Sequence, residues 1–213
     1  MAGIADLLNS DLGRQLISGV SQETNQSPDK TASVVSMALP LLMGAMKRNA
    51  KSPEGAQKLL GALDNSKHDG NLLNNLGGFF GGGVNEEAKQ DGLGILGHVL
   101  GGSQNNVVSA LSNKSGVDTD SVMKILTVLA PIVLGYLGKE KRQQNVSSPS
   151  GIEGLLGGML GGGKKTQNKQ QTLIESLLDG NNDGSVVDDI AGMVLGGKKG
   201  GGLGGMLGGL FGK

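Results

Sequence analysis

The sharpest chemical spacing in the chain is Asp179-Gly180-Asn181-Asn182-Asp183-Gly184-Ser185. Oxygen-bearing side chains at alternate positions followed by glycine reproduce the first half of a calcium loop. Ligands at the first, third and fifth positions converge on a hard cation because glycine at the sixth permits a sharp turn. The second half departs from that pattern. The twelfth position, which should supply a bidentate carboxylate, is Ile190, and Asp188 and Asp189 stand just before it. Either aspartate joins Asp179, Asn181 and Asp183 only if the following helix starts in another register. A different account covers the same residues. Ser185-Val186-Val187-Asp188 has the form of a capping box, and Asp-Gly and Asn-Asn pairs mark ordinary turns. A loop without its last ligand binds weakly, so the only cofactor to expect is weakly held calcium.

An earlier segment parallels this one. Leu63-Asp64 followed by Asp69-Gly70-Asn71-Leu72-Leu73-Asn74-Asn75 has asparagines where the later copy has Asp188 and Asp189. That substitution removes the charged ligands and favours a structural turn. The two histidines offer little. His68 stands in this polar turn, and His98 stands in Gly94-Ile95-Leu96-Gly97-His98-Val99-Leu100-Gly101-Gly102. Catalysis needs a positioned partner for an imidazole, and no spacing here supplies one. Cysteine is absent, which excludes disulfides, thiolate metal sites and cysteine nucleophiles. The glycine runs lack the Lys-Ser/Thr ending and preceding strand of a phosphate loop. Lys+Arg and Asp+Glu are both 19, so nothing here has the basic footprint of a nucleic-acid binder. These residues point away from an enzyme.

The elements that position such residues are helices. Apolar residues recur at helical rather than strand spacing. Ile4, Leu8, Leu12, Leu16 and Val20 form one ridge in the first segment. Ser27-Pro28 opens a helix toward Arg48, Ser52-Pro53-Glu54 opens another through Leu63, and Asn85-Glu86-Glu87 opens a third carrying Leu93, Leu96 and Leu100. Ser103 starts a short helix with Val107, Val108 and Leu111. Asp118 or Asp120 caps the strongest, from about Val122 to Arg142. Pro40 and Pro131 lie where apolar residues continue in phase on both sides, which predicts kinked helices rather than helix ends. The longest apolar run, Ile125 to Leu137, is short of the about 20 residues a bilayer span needs. The N-terminus lacks a secretory pattern, so the expected location is cytoplasmic.

The chain reads as an all-α protein built from two pseudo-repeated helical units. Pairing Pro40 with Pro131 places Val34-Val35 on Ile125-Leu126, Leu41-Leu42-Met43 on Ile132-Val133-Leu134, and Gly44 on Gly135. The repeated stretches run from about 16 to 61 and 107 to 157. The expected organisation is a helical domain over 1–142, a Gly/Ser/Lys/Gln-rich linker over 143–172, a short helical segment with its Asp/Asn-Gly turn over 173–195, and a Gly-Leu tail over 196–213. Leu-Gly-Gly-Met-Leu-Gly-Gly occurs identically at 156–162 and 203–209. Glycine, 40 residues in all, opposes an isolated helix at about 1 kcal/mol each. The tail is therefore expected to stay disordered until it meets an apolar surface.

Ala38-Leu39-Pro40-Leu41-Leu42-Met43-Gly44-Ala45, the block Gly94–Gly102, and Leu129-Ala130-Pro131-Ile132-Val133-Leu134-Gly135 resemble the bacterial family called domain of unknown function nine-three-seven, which includes the YidB-like proteins. The likeness covers roughly residues 30 to 140, and the block from Leu177 to Asp189 resembles an extension common in such proteins. The resemblance implies a helical fold and no assigned activity. Together these features predict a non-enzymatic interaction or scaffold protein that self-associates or binds a protein partner. Two alternatives are a weak calcium-responsive module and peripheral membrane contact through the Gly-Leu tail.

Overall fold

The computed structural model describes residues 4–161, which are helical throughout apart from short turns and connections. Two short helices begin the chain, α1 (Ile4–Asn9) and α2 (Asp11–Thr24). The single ridge expected there is broken at Ser10, whose hydroxyl accepts from the Gly13 N–H and starts α2 as a separate helix. Asn25 ends α2 in the left-handed conformation, with φ 52°. Ser27 and Pro28 then open α3 (Pro28–Asn49), and Ser52 and Pro53 open α4 (Pro53–Asp64). In both, serine caps a free N–H and proline takes a position that needs none.

A 3-10 turn, Ser66–His68, leads into the short helices α5 (Asn71–Asn74) and α6 (Leu76–Phe80). Helix α7 (Glu86–Leu100) is capped by Asn85, whose Oδ1 accepts from the Ala88 N–H at 2.8 Å. Helix α8 (Gln104–Ser115) stops at Gly116, with φ 66°. Asp118, rather than Asp120, caps α9 (Thr119–Gln143). The last described element is α10 (Pro149–Gly161).

Helices α3 and α9 form the centre. Every residue of α9 from Ile125 to Gly138 is buried, so the helix is apolar all round and must be enclosed on all sides. By length and composition α9 passes for a membrane span, unlike the shorter run from Ile125 to Leu137, yet 89% of its apolar window is buried inside the protein. Neighbouring helices already supply its apolar environment. Pro40 and Pro131 both lie inside their helices, as expected. Helices α2 and α8 each pack on both central helices, α4 leans on α9, and α10 leans on α3 and α4. Helix α7 lies along α9, where a Cβ on Gly92 would overlap the Thr127 carbonyl, so glycine sets how closely the two helices approach.

Helices α3 and α9 each begin at a side-chain cap and carry an interior proline. One boundary differs from expectation. Residues 149–161, placed in a linker, form α10, and Ile152, Leu155, Leu156 and Met159 are no more than 2% exposed. Their spacing puts all four on one face, and burial of that face offsets the helix-weakening glycines. The packed unit therefore continues past Arg142.

Candidate functional site

Among the described residues, the most concentrated polar chemistry lies where the 3-10 turn, α4, α7 and α9 meet. The turn places His68 inward, with a side chain only 7% exposed. Its Nδ1 lies 3.0 Å from the Ala62 carbonyl, and its Nε2 lies 2.9 Å from Asp91 Oδ2 on α7. The carbonyl can only accept a hydrogen bond, so Nδ1 donates to it. His68 thus lies in the expected turn and has a partner that spacing alone does not supply. No spacing rule joins His68 to Asp91, because the contact arises only when α7 folds back against the turn.

Charges from the other elements surround the pair. Arg142 on α9 donates from Nη2 to the His68 carbonyl at 3.2 Å. The buried Lys141 places its Nζ 2.5 Å from Asp64 Oδ1 at the end of α4. The turn can approach α9 this closely because position 138 is glycine, where a Cβ would overlap the His68 carbonyl. At the surface, Lys67 donates to Glu87 at 2.7 Å. That hydrogen bond raises the Lys67 ammonium above its ordinary range and lowers the Glu87 carboxyl below its own. Asp69 is occupied locally, with Oδ1 accepting from the Asn71 N–H at 2.9 Å and Oδ2 from the Asn71 side chain at 2.5 Å. The carboxylates of the earlier turn are therefore engaged by groups of the chain itself.

Both nitrogens of His68 are spent on these partners, so neither faces a substrate. The arrangement clamps the turn to α4 and α7. His98 is exposed on α7, and its Nδ1 lies 2.8 Å from the Gly94 carbonyl of its own helix. A shallow cleft of about 260 Å³ lies elsewhere, between α2 and α6. Gln15, Ser18 and Gln22 line one wall and Phe80 the other, with no titratable side chain among the lining residues. Among the described residues no group of three or more histidines and carboxylates is placed to hold a metal ion. Asp179, Asn181, Asp183 and Asp189, with the turn that carries them, lie outside the described residues.

A family model described as a bacterial protein of unknown function, DUF937, matches residues 6–140 and 143–213. The chain belongs to the DUF937 family. The match extends the likeness carried by the Leu-Pro-Leu-Leu and Ala-Pro-Ile-Val blocks to nearly the whole chain. Both blocks lie inside the two central helices of this DUF937 protein. No curated protein and no solved structure matches the chain.

Proposed function

We propose that this protein is a helical interaction protein that acts by binding rather than by catalysis, and that it self-associates. The observation that carries the reading is the seat of α10. A Gly-Leu helix lies on α3 and α4, and its Ile152, Leu155, Leu156 and Met159 enter the common core. The heptad that begins at Leu156 recurs identically at 203–209. One chain therefore carries both a receiving surface for a Gly-Leu segment and more than one such segment. The exposed Leu93 on α7, 49% accessible, adds apolar surface on another side.

Sedimentation velocity over a dilution series tests the reading. The expected result is reversible, concentration-dependent association of the full chain. A monomer at every concentration would overturn it. The calcium alternative rests on the spacing of Asp179, Asn181, Asp183 and Asp189. The same series with and without calcium distinguishes it, because a calcium-responsive module would change its association and lose the response in Asp183→Ala.

A further inference from the structure

Helix α10 is joined to the rest of the molecule in a way that permits exchange between copies. It packs chiefly on α3 and α4, which lie far earlier in the chain, and only slightly on α9, which precedes it. Lifting α10 away thus breaks few contacts with the element that leads into it. The vacated surface on α3 and α4 would be satisfied equally well by α10 of a second copy, because the same side chains meet the same partners.

The connection, Gln144 to Ser148, is short and turns on one residue. Asn145 has φ 51°, in the left-handed region, and one of only two non-glycine residues with positive φ among those described. Its N–H donates to the Arg142 carbonyl at 3.2 Å, and the Val146 N–H donates to the Lys141 carbonyl at 2.9 Å. These bonds close α9 and turn the chain back. The Ser148 hydroxyl then accepts from the Gly151 N–H at 3.2 Å and starts α10. Right-handed φ and ψ at Asn145 would extend the chain away from its own groove. That conformation is the commoner one for a side-chain-bearing residue.

Composition decides where a released α10 goes. Gly151, Gly154, Gly157, Gly158 and Gly161 make it a poor helix on its own. Its four core side chains are buried only when it lies in a groove of this shape. We propose that two copies of the chain exchange α10, each filling the α3–α4 groove of the other, with Asn145 as the hinge. This mode of association rests on the self-association reading above and specifies its surface.

The absence of cysteine makes the test direct. A Cβ at position 157 lies 3.6 Å from Lys47 Nζ, so thiols at 47 and 157 fall within the span of a short bis-maleimide when α10 is seated. Chains carrying only Lys47→Cys are mixed with chains carrying only Gly157→Cys, concentrated, then diluted and cross-linked. Exchange predicts a covalent dimer of the two chains. The double variant in one dilute chain cross-links internally and verifies the geometry. A second pair of variants needs no cysteine. Asn145→Gly relieves the left-handed residue and should lower the dimer fraction, and Asn145→Ala should raise it, each by about two-fold or more. Association without the 47–157 cross-link between chains, or with equal dimer fractions for the two Asn145 variants, would overturn the exchange while leaving self-association standing. A protein that stays monomeric throughout would overturn both.

Discussion

His68 joins three elements through one imidazole, and its removal should be felt as stability rather than as activity. His68→Ala leaves the Ala62 carbonyl and the Asp91 side chain without their partner, at an expected cost of about 1–3 kcal/mol. Thermal melts followed by circular dichroism measure this, and a melt equal to the parent's would show that the clamp contributes nothing. Asp118 makes a prediction about pH. The Ser121 N–H, 2.8 Å from Oδ1, holds the Asp118 carboxyl below its usual range. A lowered folded-state value contributes stability above the unfolded carboxylate range, and that contribution is lost as pH falls through the folded value. Asp118→Asn keeps a competent cap without the charge. The stability gap between parent and variant should therefore be largest at neutral pH and shrink on acidification, and a gap independent of pH would remove the charge from the account. A cap at Asp118 or Asp120 was legible in the sequence because capping is local, and the structure selects Asp118. The His68–Asp91 pair was not, because it depends on where α7 comes to rest.

At the scale of elements, α10 is the informative case. Its Ser148-Pro149 opening and its apolar residues at 152, 155, 156 and 159 have helical spacing, yet the surrounding Gly, Ser, Lys and Gln give the stretch the look of a linker. Intrinsic propensity opposes this helix, and tertiary burial reverses the outcome. A chain ending at Arg142 should consequently lose cooperative melting or become insoluble, because the surface beneath α10 is exposed. A chain ending at Gly162 should keep both properties. Leu156→Ala in the full chain should cost about 2–5 kcal/mol, as for other large-to-small changes at fully buried leucines. If the shorter chain melts as sharply as the longer, α10 is not part of the folding unit. The two prolines lie inside continuous helices rather than at helix ends, with apolar residues in phase on both sides.

For the whole molecule, the doubled heptad leads to a further measurement. Deleting 196–213 removes the copy at 203–209 but leaves α10 in place. Association should weaken without disappearing, as read from sedimentation at matched concentrations. Complete loss would assign association to the tail alone, and no change would remove the tail from it. The sequence by itself determined that the protein is helical, where most helices begin, and that Pro40 and Pro131 lie inside helices rather than at their ends. Each of those properties depends on residues within a few turns of one another: caps, prolines and apolar periodicity. Only the tertiary structure decided that α10 belongs to the core, that α7 closes on the turn at His68, and that α9 is a core helix. These outcomes depend on which surfaces meet across long stretches of chain, and side-chain burial, with close approach at Gly92 and Gly138, settles them.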